Sequence, residues 1–264
     1  MPIGLSSLLG GSVHLLAANI TVGNHPQKSL FGLTLDVDTI WATAVAGAIV
    51  IALGLVLRAR VTSGVPGRMQ LVWEVVVGAV RQQVEGVAGG VGPMSPIVPL
   101  AVVLFLFILI ANWLSVFGIG AQYEWLPTPT SDINTTLALA LIVIIPVHIS
   151  SIRSRGLAGY LKHYVTQPFP KFLAPVNFFL NFVEELAKPL TLALRLFGNL
   201  LSGGLMLALI AALGVWSIGH VHIGYVATLL LDPLWKVFDL FIGAIQAFIF
   251  ALLTILYFES AKSH

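Results

Sequence analysis

One arginine, Arg195, stands in the sequence Lys188-Pro-Leu-Thr-Leu-Ala-Leu-Arg195-Leu-Phe-Gly-Asn-Leu-Leu-Ser202, with a leucine on each side. A guanidinium stays charged in a protein, so burial cannot neutralise it as it can a lysine or an aspartate. At the centre of a bilayer helix such a charge costs about 2.5–3.5 kcal/mol on insertion scales. A chain that retains it uses it, and the chemistry a fixed cation offers there is electrostatic control of ions crossing the membrane. Glu184, Lys188, Thr191, Arg195, Asn199 and Ser202 follow one another at steps of three or four, which puts them on one helix face. Lys236, Asp239, Gly243, Gln246, Phe250 and Tyr257 are related in the same way. Two such helices side by side make an aqueous path. The competing reading is hydrogen bonding between helices, which Ser, Thr, Asn and Gln often supply. It suits Thr191 and Ser202 but not Arg195, because a lone permanent cation is poor glue.

The elements that must position these residues are membrane spans. The chain is 58% hydrophobic and 9% charged, too little charge to cover a water-facing surface. This predicts an all-α membrane protein, a single polytopic domain over 1–264. Spans are expected at 39–57, 97–117, 134–151, 175–213 and about 226–258. Residues 68–86 differ, since Arg68, Glu74, Arg81, Gln82 and Glu85 interrupt Leu71, Val72, Val75, Val76, Val80 and Val84. That period suits an amphipathic helix on the cytoplasmic surface, within 68–90. Arg58, Arg60 and Arg68 follow the first span, and Arg153, Arg155, Lys162 and Lys171 lie in the loop 152–171, whereas 118–133 and 214–225 contain no Lys or Arg. Basic loops face the cytoplasm. The N-terminal segment 1–38 is then external and the C-terminus, with Lys262, internal. Residues 1–20 have no basic region of the signal-peptide kind, so this segment is expected to stay on the mature chain.

The last two apolar stretches are longer than a span needs. At 1.5 Å per residue, 175–213 extends roughly 58 Å, against a hydrocarbon core of about 30 Å. Either these helices are steeply inclined, or they break, with Pro189 and Asp232-Pro233 as candidate break points, or their ends leave the core. An inclined pair forming a hairpin over 175–258 is the preferred reading.

Leu194-Arg195-Leu196-Phe197-Gly198-Asn199, preceded by Glu184-Glu185 and Lys188-Pro189, resembles the signature of subunit a of the membrane (Fo) sector of F-type ATP synthases, bacterial type. So do Gln246-Ala247-Phe248-Ile249-Phe250 with Leu253-Thr254-Ile255-Leu256-Tyr257, Asp132-Ile133-Asn134 with Leu137-Ala138-Leu139-Ala140, and Ala174-Pro175-Val176-Asn177. The similarity spans roughly 30–258.

The resemblance implies a proton-channel stator. Protons enter a half-channel from outside, neutralise a carboxylate on a rotating ring of c-subunits, ride the ring, and leave by a second half-channel. Arg195 would face that ring at the boundary between the paths. Its charge would keep the facing carboxylate ionised, because a neighbouring opposite charge favours the charged form, and would block a direct leak. On the inlet side the resemblance points to Asp239 as a relay carboxyl, with Asn199, Gln246 and Asn134 as hydrogen-bonding company and Asp132 at the mouth. Where other members often carry Glu or His nine residues after the arginine, this chain has Gly204, and Asp239 stands where they often carry His or Glu. Asp239 is therefore expected to work without an ionisable partner on the fourth span, beside water over Gly203 and Gly204. Glu184 and Glu185 suit the exit path, or else a structural pairing with Lys188. The implied partners are the c-ring, b-type peripheral-stalk subunits and the remaining synthase subunits, in a bacterial plasma membrane. Both H⁺ and Na⁺ stay open as the ion, with H⁺ preferred.

The remaining groups invite plainer readings. His220-Val-His222 is too small a set for a metal, and His148 and His163 read as interfacial. Trp41, Trp113, Trp125, Trp216 and Trp235 read as anchors near span ends. There is no Cys, no Walker-type loop and no catalytic triad, so no cofactor, metal or covalent chemistry is assigned to this chain. Thirteen basic residues spread over many loops, without a block, give no nucleic-acid surface. The alternative function is a secondary transporter whose buried arginine binds an anionic substrate. It predicts two repeated halves, and the sequence shows no internal repeat. A membrane scaffold anchoring a stalk could accompany the first reading but leaves Arg195 unexplained.

Overall fold

The architecture comes from a computed structural model that describes residues 27–30, 33–62, 64, 67–88, 97–117, 128–166, 169–213 and 223–263. Two short antiparallel strands, β1 (Gln27–Leu30) and β2 (Leu33–Asp36), precede six helices. The sequence reading had no signal for this strand pair, which lies ahead of the first span. The helices are α1 (Val37–Arg60), α2 (Arg68–Ala88), α3 (Ile97–Phe117), α4 (Ile133–Thr166), α5 (Ala174–Leu213) and α6 (Ile223–Ser263). All but α2 are long and apolar enough to cross a membrane. The expected five spans and one amphipathic helix are therefore present.

The bundle is built around α3 and α6, with α4 and α5 packed together on the other side of α6 and α1 against α3. Its core is a mixture of aliphatic and very small side chains. Ala101, Ala140, Ala193, Ala247 and Ala251 are buried between Ile108, Val143, Leu192, Leu196 and Phe250. In lipid the tails are as apolar as leucine, so helices gain by close approach, and small residues permit it. On α2, Trp73 and Val77 pack against this core while Leu71, Val72 and Val75 stay exposed.

Two open alternatives about helix limits close and one expectation changes. Neither Pro189 nor Asp232-Pro233 breaks its helix: α5 runs unbroken for 40 residues and α6 for 41. Asp232 is not an N-cap but pairs with Lys236 one turn on, at 2.9 Å. Segment 152–171 is not a loop throughout, because helix continues to Thr166 after a kink at Gly156. Gly156 has φ +72°, a conformation open to glycine and strained for other residues. The turn into α5 is closed by Asn177, fully buried. Its Oδ1 accepts from the Phe169 amide at 3.1 Å, and its Nδ2 donates to the Val165 and Phe169 carbonyls at 3.1 and 2.8 Å. That gives the Ala-Pro-Val-Asn motif a structural reason.

Candidate functional site

The polar stripe of α5 faces away from the core. Leu192, Ala193, Leu196, Leu200, Gly203 and Ile210 are its buried positions, whereas Glu184, Thr191, Arg195 and Ser202 are exposed and Lys188 and Asn199 partly so. Arg195 lies close to the helix midpoint, between exposed Leu194 and buried Leu196. Among the described residues no ion pair or hydrogen bond includes it. Lys188, two turns earlier, contrasts sharply. Its Nζ is 2.8 Å from Glu185 Oε1 and 3.2 Å from Glu184 Oε1, so the pairing foreseen as the structural alternative for these glutamates is present. A second partner was not foreseen. His148 of α4 brings Nε2 to 3.5 Å from Glu185 Oε2, and its Nδ1 lies 3.0 Å from the Tyr160 hydroxyl. His148 thus belongs to a charged cluster across α4 and α5. Tyr257 of α6 is within electrostatic reach of Arg195, Lys188 and Glu185.

On the far side of Arg195 the arrangement is different. Asp239 of α6 lies against Gly203 so closely that a Cβ there would stand 2.7 Å from Asp239 Oδ1. The space over Gly203 is therefore filled by the carboxyl itself, not left for water as the sequence suggested. Gly204 faces open space. One turn before Asp239, the Trp235 indole donates to the Gly203 carbonyl at 3.2 Å. No side chain larger than glycine fits at 203 without moving this carboxylate, and among the described residues no ionisable residue of α5 pairs with it.

The amides of the two stripes are held differently. Gln246 is only 6% exposed, and its Nε2, like the Nδ2 of Asn199, is a buried donor with no protein acceptor. Native proteins satisfy such groups with water when no side chain does so. Ser202 turns back on its own helix, donating to the Asn199 carbonyl at 2.8 Å. Asp132 caps α4: its Oδ1 accepts from the Asn134 backbone at 2.9 Å and side chain at 3.1 Å. Neither is hydrogen-bonded to Asp239.

Sequence reasoning missed Asn112 and Thr130. Asn112, 4% exposed on α3, accepts from the Thr130 hydroxyl at 2.7 Å and donates to the Gly243 carbonyl of α6 at 3.2 Å. Gly243 is required there, since a Cβ would come 3.0 Å from that of Asn112. The signal was available: Asn112 is the one amide in an otherwise apolar span, and such a group needs a partner in lipid. Trp113 and Trp235, expected as interfacial anchors, donate to helix carbonyls, Leu240 and Gly203. His220, His222, Trp125 and Trp216 lie outside the described residues, as do segment 1–26 and the side chains of His163, Lys262, Arg81 and Glu85. Among the described residues no group of three metal-ligating side chains occurs.

Residues 39–259 match the family described as ATP synthase A chain. The chain belongs to the ATP synthase subunit a family. Proteins named ATP synthase subunit a are similar over nearly its whole length. That of Acidothermus cellulolyticus is 46% identical over 256 residues, covering 97% of this chain and 88% of the relative. That of Mycobacterium bovis is 46% identical over 259 residues, covering 94% and 95%. A more distant relative, from Colwellia psychrerythraea, is 37% identical over 242 residues, covering 86% and 88%. Subunit a is a non-catalytic part of the membrane sector, whose work is proton transport tied to ATP synthesis. The matched region contains both polar stripes and the His148 cluster.

Proposed function

We propose that this chain is the proton-conducting stator against which a ring of carboxylate-bearing c-subunits turns, with Arg195 as the barrier between two half-channels. One observation carries the reading. Arg195 is exposed midway along a 40-residue apolar helix and is without an ionic partner among the described residues. A bare guanidinium in a bilayer is costly, so its face calls for an anion from another subunit. A ring carboxylate supplies one, transiently, each time a c-subunit passes.

The two sides of Arg195 divide the labour. With α6 running inward from the outside, Asp239 and Gly203 lie toward the outer face, about 12 Å along α5 from Arg195. Asp239 relays incoming protons toward the ring, with water held by the Asn199 and Gln246 amides. Asp132 and Asn134 stand at the start of α4, at the outer mouth. Glu184 and Glu185 lie on the inner side, about 15 Å from Arg195, in the exit path. In this orientation the exposed Arg58, Arg60, Arg153 and Lys162 face the cytoplasm, the N-terminus is outside and α2 lies along the inner surface, where it and the cytoplasmic segments can meet the b-type stalk. Each proton crossing delivers about 2.3 kcal/mol per 100 mV, and the fixed charge keeps that energy from leaking away.

The test is ATP-driven acidification of membrane vesicles carrying the intact complex, wild type against Arg195→Ala, together with passive leak after the catalytic head is stripped. The expected result is loss of pumping with passive conduction retained. Normal pumping in the variant would overturn the reading.

A further inference from the structure

Resting on that reading, we infer that His148 and Tyr160 form the last proton-transfer station of the exit path, taking protons from Glu185 and releasing them to water on the cytoplasmic side. With Glu185, the pair joins two helices that the sequence leaves unrelated. His148 is two turns before the Gly156 kink of α4, and Tyr160 lies just beyond it. The kink thus brings a hydroxyl to one ring nitrogen while α5 brings a carboxylate to the other. The rings meet edge to face, with centroids 6.1 Å apart.

This arrangement matches what transfer needs. An imidazole accepts a proton at one nitrogen and gives one up from the other. A proton leaves Glu185 Oε2 and bonds to His148 Nε2; the cation then loses its Nδ1 proton through the Tyr160 hydroxyl to water. The neutral ring regains its starting tautomer by rotating or by exchanging with water. The 3.5 Å gap to Glu185 is closed by a small shift or by one water, either within the reach of proton transfer. Lys188 holds the other Glu185 oxygen, Oε1, at 2.8 Å, leaving Oε2 toward the histidine. Among the described residues Glu185 of α5 and Tyr160 of α4 meet the ring, Lys188 ties Glu185 to Glu184, and Tyr257 of α6 is within electrostatic reach of Lys188 and Glu185. Arg155, two turns along α4, is committed to the Ala261 carbonyl at 2.7 Å. The side chains of His148 and Glu185 are 30% and 28% exposed, enough to exchange with water.

A purely structural role, pinning α4 to α5, makes a different prediction. His148→Gln keeps a polar group for Glu185 and Tyr160 but cannot carry a proton. In vesicles with the intact complex it should lower coupled proton flux by roughly tenfold, and millimolar imidazole in the medium should restore a large part of it. Wild-type flux in His148→Gln, or slow flux that imidazole does not restore, overturns the assignment. Tyr160→Phe, which keeps the ring and its packing, is the second variant: a several-fold slowing supports the station and wild-type flux overturns it. Arg195→Ala, assayed beside them, separates the failures. Normal pumping there sinks the stator reading, whereas its loss alongside wild-type flux in His148→Gln sinks this assignment alone.

Discussion

The two flanks of Arg195, outer and inner in the proposed orientation, solve one problem, a charge in lipid, by opposite means. On the outer flank a single carboxyl, Asp239, is pressed against a glycine with no ionic partner on α5. On the inner flank Lys188 pairs with both Glu184 and Glu185, and His148 lies 3.5 Å from Glu185. An isolated group offers one site and no detour, whereas a cluster has several. The outer flank is therefore fragile to chemistry and to shape, and the inner one is buffered against the loss of one carboxylate.

The sharpest way to break that comparison is to remove one carboxylate from each side. Asp239→Asn should reduce coupled proton flux by roughly a hundredfold or more, since a relay acid has no substitute there. Glu185→Gln should cost only several-fold, with Glu184 and His148 at hand. Equal losses in vesicle acidification would refute the contrast. Next in size is a test of shape alone. Gly203→Ala should slow pumping several-fold by displacing Asp239, while Gly204→Ala, which meets open space, should leave the rate unchanged. A smaller effect is expected at the α3–α6 node. Asn112→Leu leaves the Gly243 carbonyl without its donor and should lower stability by about 1 kcal/mol, read as a lower thermal midpoint in detergent. Least of all, breaking the exposed Asp232–Lys236 pair by Asp232→Asn should change stability by less than about 0.5 kcal/mol.

The stripes themselves were legible because a helix repeats every 3.6 residues, so one face can be traced without coordinates. Arg195 was legible because a guanidinium keeps its charge even inside an apolar run. What the chain did not disclose were facts about how helices meet. The Asp239–Gly203 contact depends on the axial register of α6 against α5, which no single-helix period encodes. Trp113 and Trp235 carry the composition of interfacial anchors, yet their indoles reach carbonyls on neighbouring helices. His148 was read as interfacial because its partners are a glutamate on another helix and a tyrosine beyond a kink. The basic stretch after residue 151 read as a loop since charge usually ends a span, but α4 emerges from the apolar region and keeps its helical hydrogen bonds. Pro189 and Pro233 remove one backbone donor each without ending their helices, which the neighbouring turns sustain.

Asn177 also has a mechanical meaning. In the proposed stator, a charge that works against a moving partner feels a sideways push, and α5 would receive it near its midpoint. Asn177 fastens one end of that helix by three hydrogen bonds, one to Val165 in the last turn of α4 and two to Phe169 just beyond it. Toward the other end, Trp235 and Thr228 of α6 hold the Gly203 and Ile210 carbonyls. A beam held at both ends deflects far less under a central load than one held at a single end. The guanidinium is thus mounted on a stiff support, and under the proposed mechanism the recoil of each step would pass into the bundle instead of bending the helix that carries it.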